Sequence, residues 1–298
     1  MNSSIDVTAD GAGAVPRMPT VRVHVPERSW RNEWRAIKIM WRREMIRFVN
    51  DRMRIVTSLI QPLLYLFVLG AGLNAFAGVS NESFNLKTFI YPGILCMTVM
   101  FTAMFSSMSI VWDREFGFLR EMMVAPVRRS SIVIGKVLGG ATVATLQGLV
   151  MIVIAPLVDV PLSVPLVFGT LFLLLLLSFA ISAFGVMIAA RIKQMQSFMG
   201  IMQMIIMPMF FISGALYPVN NLPAWLTVLN RFDPLTYAVD PMRKLVFNHI
   251  DNIPPQLAHT TGVKWFGWPV PTGLEIAIVA VLGLAMLGIA IWEFKSAE

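Results

Sequence analysis

The chain has 298 residues, 56% of them hydrophobic and only 14% charged, with a formal charge of +7 at pH 7 and a mean hydropathy of +0.70. A soluble domain carries about 25% charge, so this chain is too apolar to cover itself in water and a bilayer is its expected solvent. A pI near 9.9 would suit nucleic acid, but the placement of the cations, given below, is accounted for by anionic lipid headgroups, and no nucleic acid is expected. The single cysteine, Cys96, sits in an apolar run. That excludes an internal disulfide and a thiolate metal cluster.

Residues 1–28 are rich in Gly, Ala, Ser and Pro without apolar periodicity, and read as a disordered leader. No cleavable signal is expected there, because the first apolar stretch begins only near Ile55. Residues 29–52 read as an amphipathic helix: Trp30, Trp34, Ile37, Trp41, Met45 and Phe48 recur at helical spacing, with Arg31, Arg35, Lys38, Arg42 and Arg47 largely off that stripe. A tryptophan-bearing face edged with arginine suits a helix lying in the membrane plane at headgroup depth. A soluble helix packed on a cytosolic partner is the alternative.

A transmembrane domain over 53–294 follows, with six apolar segments near 55–78, 88–112, 137–158, 163–190, 195–217 and 272–292. Each is long enough for a hydrocarbon core about 30 Å thick. The predicted architecture is all-α and six-span. Between the last two segments the proline-rich stretch 218–271 suggests two short helices, 223–232 and 235–248, each opened by a proline. Residues 295–298 form a short tail.

Nineteen of the 24 Lys and Arg fall on the side of the leader, the loops after the second and fourth segments and the tail. That side is expected to be cytoplasmic, which places both termini there, in a cell membrane of bacterial type. The spans read as almost free of charge, with only Glu275 at an edge, which argues against an ion-coupled transporter or channel. His24, His249 and His259 lie outside the spans, and neither an HExxH motif nor a base beside Ser213 is present, so an intramembrane enzyme is disfavoured and no catalytic or metal-ligating residue is assigned. Asp233, Asp240, Arg243 and His249 are close in sequence, and capping and surface pairing account for them. Gly135-Lys136 is not a phosphate loop. Uphill transport would therefore draw on a separate ATPase that holds the ATP and magnesium, this chain binding no cofactor itself.

Uncharged polar groups within the spans include Gln61, Asn74, Gln147, Ser178, Ser182 and Gln203. Hydrogen bonding between helices accounts for each. Gln61, Asn74 and Gln203, with Met207 and Phe211 of the methionine-rich fifth segment, are the candidates for a substrate path, flexible thioethers suiting varied apolar cargo.

The loop 113–136 contains Gly117, which permits a bend, and then about two helical turns that end before Pro126. Met122, Met123 and Val124 make an apolar knob beside Glu121, Arg128 and Arg129, the form of a segment that enters a partner's groove. A loop lying on lipid is the alternative. The run Glu115–Arg129, continuing to Gly135-Lys136-Val-Leu-Gly139, resembles the cytoplasmic loop of type-two ABC exporter permeases, including the daunorubicin-resistance and nodulation-factor export proteins. Pro208–Pro218, Leu222–Leu226, Asp233–Asp240 and Arg243 resemble the segment that leads from that family's fifth span into outer re-entrant helices.

The resemblance implies a permease subunit that dimerises and pairs with ABC ATPase subunits to export a drug, lipid or glycoconjugate. The helix of Glu121, Met122, Met123, Val124 and Pro126, with Arg128, would be the coupling helix. The helix of Trp30, Trp34, Trp41 and Arg42 would be the interface helix beside the ATPase. The path would run along the dimer seam, and methionines where polysaccharide-exporting relatives carry aromatic belts favour a hydrophobic drug or lipid.

Overall fold

The computed structural model describes residues 30–77, 86–119, 122, 127–219, 222–250, 262–265 and 268–296. Helix α1 (Trp30–Asn50) is followed by α2 (Arg52–Leu64), a π-helical turn at Tyr65–Leu69 and α3 (Gly70–Ala77). Then come α4 (Leu86–Glu115), α5 (Arg129–Val153), α6 (Val164–Ala189) and α7 (Met195–Ile212). Two short helices, α8 (Ala224–Phe232) and α9 (Thr236–Phe247), and a two-residue hairpin pairing Lys264 with Pro269 lead to α10 (Thr272–Ser296). Among the described residues, six helical stretches are long and apolar enough to cross a membrane.

Local chemistry sets several of these limits. Asp51 accepts from the Arg54 amide at 3.0 Å and caps α2, which separates it from α1. Pro62 removes one amide donor inside α2, and the π-helical turn follows within one turn. Ser163 caps α6, with a proline in the first turn. Gly117 takes φ +81°, which ends α4 in a bend.

Helix α4 is the central post. It is buried along most of its length and packs on α5, α6, α7 and α9, while α6 packs on α10. Small residues bring α4, α5 and α6 close together: a Cβ on Gly140 would lie 3.0 Å from Ser182 Oγ, and one on Gly185 2.5 Å from Ser107 Oγ. By contrast α2 and α7 keep apolar side chains exposed, among them Val56, Ile60 and Leu64 on α2, Val68 on the π-helical turn that follows it, and Met204 and Phe211 on α7.

Several expected limits move. The second and third apolar segments extend to Glu115 and back to Arg129, so the loop between them is 116–128 rather than 113–136. Charged residues at these ends are paired inside the protein, which lets the helices run past the apolar stretch. The fifth helix stops at Ile212 rather than 217, where Gly214 takes φ +72°.

Candidate functional site

Residues that the sequence places on separate segments meet where α4 ends and α5 begins. The Asp113 side chain is fully buried and receives Lys136 Nζ at 2.6 Å, Arg43 at 2.9 Å and Arg47 at 3.1 Å. Lys136 Nζ also donates to Glu44 at 2.6 Å and to Ser109 Oγ at 3.0 Å. Three elements, α1, α4 and α5, are thereby locked by one ionic cluster. Each carboxylate has a cation within hydrogen-bond reach, the condition under which buried charge is tolerated. The expectation of nearly charge-free spans is corrected here, because Asp113 and Lys136 lie within the helices and not on a loop.

Helix α1 docks lengthwise on α5. Glu33 accepts from the Arg128 amide at 3.1 Å and from the Ser131 hydroxyl, so it caps the α5 N-terminus from another helix. Further along, Met40 packs on Gly135, Glu44 on Gly139, and Trp41 Nε1 donates to Thr142 Oγ1 at 3.0 Å. Contacts running in register over three turns are those of aligned helices; crossed helices touch at one. The buried face of α1 carries Glu33, Ala36 and Glu44, whereas Trp30 and Trp34 are 73% and 57% exposed. The start of the expected apolar stripe, Trp30 and Trp34, is thus free, whereas Trp41 borders α5 and a polar stripe with small residues opposite makes the joint. Arg42 is exposed on α1.

The loop 116–128 is tied at both ends to other helix termini. Arg114 donates to the carbonyls of Ala189 at 3.3 Å and Ile192 at 2.9 Å, at the end of α6. Glu115 accepts from the Met195 amide at 3.0 Å, at the start of α7. Arg129 donates to the Phe294 and Lys295 carbonyls at 3.5 and 3.3 Å, at the end of α10. Each charge has the sign that a helix end favours, a carboxylate at an N-terminus and guanidinium at C-termini. The residues around this loop thereby contact α1, α6, α7 and α10.

Of the expected coupling residues, Glu121, Met123, Val124 and Pro126 lie outside the described residues. Met122 is half-buried, its sulfur 3.5 Å from Arg43 Nη1, so it turns inward. Among the described residues of the loop, Phe116 and Phe118 are exposed apolar side chains, and the Arg43 guanidinium lies 5.9 Å from the Phe118 ring centroid. The expected knob was Met122, Met123 and Val124, so Phe116 before the bend and Phe118 at the start of the expected turns were not singled out.

Gln61 lines a cavity of about 670 Å³ between α1, α2 and α4. The α7 residues Gln203, Met207 and Phe211 fall on one stripe that is exposed or half-buried and forms no part of that cavity. The structure therefore divides the five expected path residues between two places, with Asn74 on α3, its side chain outside the described residues.

At the opposite end of the bundle, Lys244 Nζ lies 2.7 Å from Asp240 and 3.2 Å from Glu275, whose carboxyl is fully buried. Burial disfavours the charged lysine, but Asp240 and Glu275 outweigh that and hold its pKa above the usual lysine value. Arg243 is buried, donates to the Gly214 and Ala215 carbonyls at 2.8 and 3.2 Å and stacks over Phe89 at 4.4 Å. Surface pairing for Asp240 and Arg243 is thus corrected: they bind α9 to α10, α4 and the chain leaving α7. His249 Nδ1 donates to the Leu245 carbonyl, 2.9 Å away. Asp233 accepts from the Leu235 amide at 3.1 Å and from Thr236 at 3.2 Å, capping α9, and burial lifts its pKa to about 7.

A buried acid in the last turn of an apolar segment demands a cation, and that signal was available for Asp113. Which cation answered it was not, since the partners lie 70, 66 and 23 residues away.

Residues 35–247 match the family model described as ABC-2 type transporter. The chain is 29% identical over 210 residues to a protein of Cyanophora paradoxa named transport permease ycf38, covering 70% of this chain and 72% of that one. It is 28% identical over 224 residues to nodulation protein J of Rhizobium leguminosarum bv. trifolii, covering 74% and 82%. It is 27% identical over 168 residues to a multidrug ABC transporter permease, YbhR, of Escherichia coli K12, covering 55% and 45%. With six apolar helices, a central post and a helix-capped loop of this kind, the chain is a multi-pass membrane protein that belongs to the ABC-2 type transporter family.

Proposed function

We propose that this chain is the membrane subunit of an ATP-driven exporter, acting as a dimer and drawing its energy from a separate ABC ATPase that binds ATP and magnesium. The observation that carries the reading is the loop 116–128, whose flanking residues Arg114, Glu115, Arg128 and Arg129 contact four other helices. A partner that pushes this loop would move α1, α6, α7 and α10 together, with the second and third spans as levers. In this reading the loop and both termini face the cytoplasm, consistent with the basic residues on that side. Met122 and Met123 with Phe118 would dock in the ATPase, and Trp30, Trp34 and Arg42 on the free face of α1, with Trp41 at the edge of the joint, would meet membrane lipid or the ATPase.

The exposed apolar sides of α2 and α7 are where a second copy would pack, and the stripe of Gln203, Met207 and Phe211 would line the seam. A hydrophobic drug, lipid or glycoconjugate would leave the inner leaflet by that route. Relatives named for multidrug transport and nodulation support this range of cargo without choosing among its members.

A secondary transporter draws support from the buried carboxylates Asp240 and Glu275 around Lys244. The family match favours the ATPase-driven reading. The test is purification of the tagged chain in mild detergent with identification of what co-elutes. A stoichiometric ATPase, released by Phe118→Asp or by joint replacement of Met122 and Met123 with Asp, is expected. A stable chain that never retains an ATPase, yet transports on an ion gradient in ATP-depleted vesicles, would overturn it.

A further inference from the structure

Helix α2 touches the rest of the protein chiefly through its far half and the π-helical turn, where Leu66 is fully buried. Its near half stands away from α4, and the gap is the cavity of about 670 Å³. This volume lies within the range of about 300–1,000 Å³ typical of pockets for drug-sized ligands. The exposed face of α2, with Val56, Ile60 and Leu64, points elsewhere, so the cavity belongs to one protomer and is separate from the surface assigned above to the seam.

Its walls have two characters. Glu44, Arg47, Asp51 and Arg54 supply charge, and Phe48, Phe101, Phe105, Met108 and Trp112 supply apolar surface, with Phe101 and Phe105 two to three turns along α4 from Asp113, which bonds Arg47. The four charges are not equally committed. Glu44 is committed to Lys136 at 2.6 Å, and Asp51 to the Arg54 amide at 3.0 Å. Arg47 lies 3.1 Å from Asp113 and 3.8 Å from Glu44, and the exposed Arg54 side chain has no ion pair among the described residues. Thr57, Ser58, Gln61, Thr102 and Ser109 add hydroxyl and amide groups to the lining.

We propose that this cavity binds an anionic amphiphile of drug or single-chain size, its carboxylate or phosphate head on Arg54 and Arg47 and its apolar part among Phe101, Phe105 and Trp112. Guanidinium is suited to such heads because its fork matches two oxygens at once. The proposal deepens the export reading by naming the charge class of its cargo, and rests on that reading only for calling the ligand cargo.

Trp112 in the wall provides the readout. In nanodiscs of zwitterionic lipid, the purified chain is titrated with dibromostearate and with a dibrominated alkyltrimethylammonium of equal length. Saturable quenching by the anionic probe, absent in Trp112→Phe, is expected. Arg54→Gln should weaken it about tenfold, as loss of a charge-assisted bond does, while Arg52→Gln, outside the cavity, leaves it unchanged. Thr57→Phe, filling the gap from an exposed position, should abolish saturation without disturbing the fold. Equal quenching by both probes, or insensitivity to Arg54→Gln, would overturn the proposal. So would displacement by inorganic phosphate alone with no dependence on chain length, which would mark a free-oxyanion site. ATPase co-elution is measured separately, so failure here and failure of the export reading are told apart.

Discussion

Lys136 stands between two buried carboxylates, Glu44 and Asp113, at 2.6 Å from each. Replacing it with Met brings like charges together without the intervening cation, a change in the class that costs about 3–5 kcal/mol. The midpoint of thermal aggregation in detergent should fall accordingly, and Lys136→Arg should recover only part because a planar fork replaces a point charge. Asp233 offers a pH test. Its folded pKa is raised to about 7 by burial, so the folded state binds the proton more tightly than the unfolded chain does. Stability therefore falls as pH rises from about 4 towards 7 and is flat above, through this group alone. Asp233→Asn should remove that slope in melting curves taken across the interval.

At the scale of elements, the joint between α1 and α5 depends on what is missing from Gly135 and Gly139. A Cβ there would lie 2.6 Å from Met40 Cβ and 2.8 Å from Glu44 Cβ respectively. Met40 leaves a side chain able to shift, but the Ile37 backbone, 3.1 Å away at its carbonyl oxygen, does not. Gly135→Val should therefore push α1 off α5 at a cost of about 1–3 kcal/mol, the range for overpacking. Limited proteolysis between α1 and α2, near Asn50 and Asp51, should speed up, while Gly200→Ala, with open space around it, should not change it. The existence and order of these helices were legible beforehand, including α8 and α9 at Ala224–Phe232 and Thr236–Phe247. The face α1 presents was not, because its tryptophans outweigh Glu33 and Glu44 in any apolar reading. Those two carboxylates are buried only because Lys136 and the α5 N-terminus receive them.

For the whole molecule, Glu115 is the direct bond from the loop to α7. Removing it with Glu115→Ala uncaps α7, a loss of about 1 kcal/mol, too small to unfold the bundle. Under the export reading its larger effect is on transmission: ATP hydrolysis by the complex should persist while transport in vesicles drops several-fold. Glu115→Gln, which keeps an acceptor oxygen, should retain more transport than the alanine variant. Parallel loss of hydrolysis and transport in both variants would assign Glu115 to stability instead.

What the sequence alone determined is the count and order of the apolar helices and the family to which they belong. Inside a bilayer every backbone amide must be satisfied within its own segment, so length and hydropathy suffice to find a span. The short helices after α7 were legible for a related reason, since Pro223 and Pro234 fix where a helix can start. Only the tertiary structure decided which helices touch, because α6 and α10 are apolar all round and carry no mark of the neighbour they will meet. It also decided the fate of the charges. Asp113, Lys136, Arg243 and Glu275 read in sequence as loop, edge or surface residues, yet each is buried against a partner from another segment. Burial of charge is a property of the pair, and the pairs are made only when α1 lies on α5 and α9 lies on α10.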